Sequence, residues 1–283
     1  MVTPSSSVGA ITYSNHFSAD RPIVSGWPTD YTAGGAYSKG LMLQKIPQRL
    51  FFELQKKAHF AEDEVFCCLV SAVQALLARV TDSGSVAVCM PPLRSEQDSG
   101  LPETLLDVQC DIASTDSFLK LMTDTRGRVA ESNKAFLASP EQASPDPTCT
   151  LLVAMDSLHR PLHNGQQLEL CFRFAALQQD ELELRLEYNQ RAYAQQTVQQ
   201  IAVLYLRLLE QLIANPNIEI GEIDLLSESE WSGTVEAWHG PLAAYPSEQA
   251  MHELFERQVR QTPQQIAIRQ GERSWTYAEL NRR

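Results

Sequence analysis

The chain has 283 residues, 43% hydrophobic and 20% charged, enough for one large or two small folded soluble domains. Its net charge of −12, with no basic run crossed by aromatics, argues against nucleic acid as a partner. Polar residues interrupt the apolar stretches before a membrane span of about 18–20 residues is reached, and Met1-Val2-Thr3-Pro4-Ser5-Ser6-Ser7 lacks a signal-peptide pattern, so the expectation is a cytoplasmic protein with no membrane partner.

Residues 1 to about 40 are rich in Ser, Gly, Pro and Thr, and their scattered apolar side chains predict a loose lead-in along a surface. Pro47 can open a helix with Leu50, Phe51, Leu54 and Ala58 on one face. Glu62 or Asp63 starts a second helix through Val65, Phe66, Leu69, Val73, Leu76, Leu77 and Val80, whose wide apolar stripe predicts deep burial. After the turn Thr81-Asp82-Ser83-Gly84 comes a short buried strand, Ser85 to Met90, stopped by Pro91-Pro92. From Leu105 to Ile112 a strand alternates Leu106, Val108 and Cys110 with Asp107, Gln109 and Asp111. Thr115 or Asp116 is placed to cap a helix through Phe118, Leu121, Met122, Thr125 and Val129, and residues 137–148 read as a loop. Three strands follow, Thr148 to Met155, Gln167 to Phe174, and a third carrying Leu182, Leu184, Leu186 and Tyr188. The first is apolar; the period of two in the others, with one wet face, predicts antiparallel strands covered on one side only. A long helix then carries Val198, Ile201, Ala202, Tyr205, Leu208, Leu209 and Leu212 until Asn215-Pro216 stops it. This order predicts a sheet with helices on one face.

The residues that bear chemistry point to no site of their own. Cys67, Cys68, Cys89, Cys110, Cys149 and Cys171 contain no Cys-x-x-Cys pair, and each lies in an apolar run, which reads as small buried hydrophobes rather than disulfides, metal ligands or nucleophiles. The histidines are His16, His59, His159, His163, His239 and His252. His159 and His163 have metal-like spacing only if helical, and Pro161 with Asn164-Gly165 predicts a loop or hairpin instead. Asp180, Glu181 and Glu183 read as the wet side of a strand rather than a catalytic pair, and there is no glycine-rich phosphate loop. No catalytic, cofactor-binding or metal-ligating residue is therefore nominated.

Motifs near the C-terminus say more. His252-Glu253-Leu254-Phe255-Glu256, Thr262-Pro263, Ile266-Ala267-Ile268 and Trp275-Thr276-Tyr277-Ala278-Glu279-Leu280-Asn281 resemble the opening of an adenylation domain of a nonribosomal peptide synthetase. Upstream, Glu187-Tyr188-Asn189, Leu208-Leu209-Glu210, Asn215-Pro216 and Leu225-Leu226-Ser227-Glu228-Ser229-Glu230 resemble the end of a condensation domain from the same synthetases. Trp238-His239 and Tyr245-Pro246 look like the usual linker between the two. Pro28-Thr29-Asp30, with Tyr37 and Gly40, resembles the Pro-Thr-Asp element before the C-terminal condensation lobe, without the two Arg-Pro pairs that usually follow.

The resemblance implies an α/β (α+β), chloramphenicol-acetyltransferase-like half-domain, with a mixed sheet and helices on one face. The expected organisation is a loose lead-in over 1–27, a C-terminal condensation lobe over 28–230, a linker over 231–250, and a truncated adenylation start over 251–283. That last part is expected to be unable to close a core. It also implies partners, an adenylation domain and a peptidyl carrier protein of the same or another synthetase subunit. Phosphopantetheine would sit on the carrier, and ATP and magnesium on the missing adenylation domain. The family's catalytic His-His-x-x-x-Asp-Gly belongs to the N-terminal lobe, and this chain has no His-His pair and no Asp-Gly. A lobe without that second His lacks the usual general base. Two internal elements have drifted as well: Gly100-Leu101-Pro102-Glu103-Thr104-Leu105 stands where Gly-x-Phe-Val-Asn-Thr is usual, and Asn133 to Phe136 is what is left of Asn-Gln-Asp-x-Pro-Phe. A structural platform for an adenylation domain is the expected role. Half of an amide-bond-forming enzyme completed by a separate N-terminal lobe, and a docking module for another subunit, are the alternatives.

Overall fold

Helix α2, Glu62–Thr81, is the spine of the larger part of the molecule. Every residue from Val65 to Val80 is buried, so its side chains pack all round, as the wide apolar stripe predicts. At 20 residues and a mean hydropathy of 1.6 it is long and apolar enough to cross a membrane, against the sequence expectation; 83% of that window lies inside the fold, which makes it a core helix.

The computed structural model describes residues 23–31, 36–94, 104–140, 149–159, 168–177, 181–226, 251–271 and 273–282. The chain divides into two units, Met1–Ser227 and Glu228–Arg283. In the first, a six-stranded mixed sheet runs in the order β1-β6-β5-β4-β2-β3, from β1 (Lys39–Ile46), β2 (Ser85–Met90), β3 (Leu106–Asp111), β4 (Leu151–Met155), β5 (Leu170–Leu177) and β6 (Glu181–Asn189). Helices α1 (Gln48–Lys57), α2, α3 (Phe118–Ala138) and α4 (Gln195–Ala214) share one hydrophobic core with the sheet. Leu54, Leu76, Leu121 and Leu208 from the helices join Val88, Val153, Phe172 and Leu186 from the strands.

The antiparallel expectation holds for β5 with β6 and fails between β5 and β4, which runs parallel to both β5 and β2. All five residues of β4 are buried, and a central strand covered on both faces reads as a plain apolar run. A second, smaller cluster of Ala87, Cys89, Leu105, Cys149, Leu152, Ala154, Leu168 and Cys171 buries the middle of the other face, so the centre of the sheet is covered on both sides.

Strand β1 falls where the sequence reads as lead-in and helix approach. Its centre, Leu41-Met42-Leu43, is apolar on both faces and so shows no alternation. Pairing supplies the strand, which lies antiparallel to β6 from Lys39↔Asn189 to Ile46↔Leu182. Lys39–Glu187 and Lys45–Glu181, each 2.8 Å, tie it across. Gly40 is needed because a Cβ there would lie 2.4 Å from the ring of Tyr188. Part of the expected loose lead-in is docked too. Trp27 is buried and its carbonyl accepts from the Tyr193 hydroxyl at 2.9 Å, while Val24 exchanges backbone hydrogen bonds with Ser85 and Ala87.

Local chemistry explains the remaining boundaries. Ser117, not Thr115 or Asp116, caps α3, its hydroxyl accepting from the Lys120 amide at 3.2 Å; Asp116 instead accepts from the Ala113 amide and the Lys120 ammonium. The Asp30 carboxylate accepts from the amide of Ala194, just before α4, at 2.8 Å. Helix α1 ends in a Schellman turn, in which the Phe60 amide donates to Gln55 and that of His59 to Lys56. His59 and Phe60 both have positive φ, 50° and 59°, a conformation disfavoured for residues with a Cβ.

In the second unit, α5 (Met251–Gln261) precedes the antiparallel hairpin β7 (Ile266–Gln270) and β8 (Arg273–Thr276), then α6 (Tyr277–Asn281). Gly271, φ +58°, makes the hairpin turn. Thr276 and Glu279 form a reciprocal capping box on α6. The Tyr277 amide donates to Gln265 and that of Ala278 to Pro263, and the rings of Phe255 and Tyr277 lie 5.9 Å apart. None of the residues whose burial is described in this unit is buried.

Candidate functional site

His159 is a buried polar residue of the first unit. The turn after β4 carries it back so that its Nδ1 lies 3.0 Å from both the amide nitrogen and the carbonyl oxygen of Met155. Its ring sits 4.5 Å, centre to centre, from that of Phe66 on α2, and its Nε2 is buried with no hydrogen-bond partner among the described residues. The segment after β2 closes over it. Leu93 forms a β-bridge with His159, the Arg94 amide donates to the Leu158 carbonyl at 2.9 Å, and Arg94 Nε donates to the His159 carbonyl at 2.8 Å. The Leu93 amide donates to Asn133 Oδ1 on α3 at 3.0 Å, so α3 takes part in this seam. Burial, with the cations of Arg94 and Arg173 acting in the same direction, pulls His159 down to about 4. A ring with that affinity for protons is a poor general base at neutral pH.

The six cysteines are free and buried. Burial pushes Cys67, Cys68 and Cys171 up to about 12, and hydrogen bonding to Cys149 together with burial raises Cys89 further. Cys89 Sγ donates to the Leu151 carbonyl at 3.3 Å and Cys149 Sγ to Asp107 Oδ1 at 3.2 Å. Cys67, Cys68, Cys89 and Cys171 are core side chains with little thiolate to offer as nucleophile or ligand. Among the described residues, no group of three or more His, Cys, Asp or Glu could hold a metal ion. His59 and His252 are exposed, and His16, His163 and His239 lie outside the described residues, as do the Trp238 to Pro246 linker motif, Gly100 to Glu103, and Asp180.

The wet side of β6 is an ion-pair grid. Asp156 receives Arg173 at 2.7 Å and Arg185 at 3.3 Å, and Arg185 also reaches Glu183 at 2.8 Å. The strand period places Glu181 and Glu183 on this wet side; it does not reveal Asp156, whose place depends on a turn. On the helical layer, an apolar cleft of about 280 Å³ is lined by Leu54, Phe118, Leu119, Met122, Leu212 and Ile213 among others. Lys57, Glu64 and Asn217 also line it.

No protein-family model matches the chain. A mycosubtilin synthase of Bacillus subtilis is 32% identical over 119 residues, 42% of this chain and 5% of that protein. Tyrocidine synthase 3 of Brevibacillus parabrevis is 30% identical over 149 residues, 52% of this chain and 2% of that protein. The chain thus spans only a few per cent of the length of these relatives. Among solved structures, a four-domain nonribosomal peptide synthetase bound to AMP and glycine superposes with a TM-score of 0.64 at 14% identity, covering 89% of this chain and 22% of that one. The first condensation domain of the calcium-dependent antibiotic synthetase gives 0.53 at 19% identity, covering 74% and 51%. The fold is the chloramphenicol-acetyltransferase-like fold of condensation domains. The chain is thus condensation-domain-like in fold, and over up to about half its length it is similar in sequence to nonribosomal peptide synthetases.

Proposed function

We propose that the chain is a structural platform within a synthetase: a C-terminal condensation lobe over about 28–230 and a linker over 231–250, followed by the start of an adenylation domain. The observation that supports this reading is a fully built lobe core whose buried His159 is packed against Phe66 rather than open to a substrate. His159 does not replace the missing base, since it is buried and holds its proton weakly. The adenylation assignment is supported by the coverage of the four-domain synthetase. Its 89% of this chain exceeds what Met1–Ser227 alone can supply, so the likeness runs on into the second unit.

In this reading the partners are an adenylation domain and a peptidyl carrier protein, in the cytoplasm. Phosphopantetheine thioesters belong to the carrier, and ATP and magnesium to the adenylation domain. The test is a condensation assay with amino-acid-loaded carrier proteins. The chain alone is expected to give no amide product above the uncatalysed rate, and turnover would overturn the platform reading. Product appearing only when a separately expressed N-terminal condensation lobe is added would replace it with half of an active enzyme.

A further inference from the structure

The seam around His159 joins three pieces of the first unit that are remote in sequence: the segment after β2, the turn after β4, and Asn133 of α3. We propose that His159 is an acid-operated latch, whose neutral ring holds the segment after β2 against the turn after β4 and whose protonation releases that seam while sheet and helices stay folded.

The neutral ring suits its place. In the neutral ring Nδ1–H donates to the Met155 carbonyl, Nε2 is a bare lone pair, and the ring lies tilted against that of Phe66. The second proton falls on Nε2. It makes a buried N–H that has no partner among the described residues. The charged groups that act on the ring are Arg94 from the segment after β2, Arg173 from β5, and Asp156 from its own turn. Two of these three are cations, and Asp156 is already engaged by Arg173 and Arg185. α2 presents the ring of Phe66 and α3 the neutral Asn133. The Met155 carbonyl and Asp156 favour the new charge, but burial, the two cations and the unpartnered Nε2–H outweigh them, and leaving the pocket relieves the ring. Its departure opens the Leu93 bridge and the two Arg94 hydrogen bonds.

The sign follows from linkage. Folded His159 sits below its ordinary value, so the closed seam has its full stability above about pH 6.5 and loses it as pH falls towards 4. The test is hydrogen exchange on the full chain from pH 7 to 4.5, corrected for intrinsic exchange rates. Protection of the Leu93 and Arg94 amides is expected to fall about tenfold or more, while amides of Leu76 and Leu208 keep theirs. In His159→Asn the fall at Leu93 and Arg94 is expected to vanish. The proposal is overturned if wild-type protection there is independent of pH, if the variant shows the same fall, or if core amides lose protection in step. Should the variant fail to fold, the wild-type ring resonance decides. Protonation of His159 without faster exchange at Leu93 and Arg94 overturns the latch, and the two moving together support it.

Discussion

The two units of this chain hold their shapes by different means. Met1–Ser227 buries whole side chains on both faces of a six-stranded sheet, and Leu69, Leu76, Leu186 and Leu208 have no exposed surface at all. In the other unit every residue whose burial is described remains at least partly exposed, and Ile266 and Ile268 are about half exposed. What organises it is short-range: a capping box, a hairpin with Gly271 at its turn, two backbone hydrogen bonds from α6 and one aromatic contact. A core of this size can give a cooperative unfolding transition, whereas a few dozen residues without buried side chains offer little to oppose chain entropy.

The largest effect that separates the units is a pair of truncations. Leu76→Ala removes a fully buried side chain from α2. It should lower the stability of the first unit by about 3 kcal/mol, measured by urea unfolding followed by tryptophan fluorescence. Phe255→Ala removes a half-buried ring from the second unit and should leave that transition where it was. A shift of more than about 1 kcal/mol from Phe255→Ala would show that the units unfold together, and the contrast between them would fail.

A smaller effect sharpens the comparison from inside the core. Gln74, fully buried on α2, donates to the Val108 carbonyl at 3.1 Å and accepts from the Thr125 hydroxyl at 2.7 Å. Thr125→Val keeps the shape and leaves Gln74 Oε1 without its donor, so a loss of about 1–3 kcal/mol is expected in the same unfolding measurement. Gln74→Leu added to it should cost less than the two single changes summed. Strict additivity would mean that the two side chains do not act as a pair.

How much of this is legible in the sequence follows the same division between pattern and context. β3 and β6 carry their burial as a period of two and form where the period puts them, and α2 shows itself by the length and width of its apolar stripe. β1 does not, because its apolar centre faces both ways and its identity comes from pairing with β6, more than a hundred residues later. The parallel pairing of β4 is invisible for the same reason: a run buried on both faces has no period. His159 can be named as a loop residue from Pro161 and Asn164-Gly165, yet its burial against Phe66 and its bridge to Leu93 are long-range contacts that no local spacing encodes. Ser117 escapes notice as a cap because Thr115 and Asp116 offer equally good side chains, and only the geometry of the turn chooses among them.

The smallest predicted effect tests whether local hydrogen bonds really organise the second unit. Glu279 accepts from the Thr276 amide at 2.9 Å while its own amide donates to the Thr276 hydroxyl at 3.3 Å. The bond from the Thr276 backbone holds the Glu279 carboxyl below the usual carboxylate range. The folded value is the depressed one, so the capping contribution is complete above the unfolded value and disappears as pH falls through the folded value. The Thr276 amide resonance should follow this titration, with a midpoint below that of a free glutamate. Glu279→Gln can still close the box, and it should abolish the titration without moving the first unit's unfolding transition. A midpoint at or above the free value would mean that the box is open in solution, leaving the hairpin and the Phe255–Tyr277 contact as the main organisers of α6.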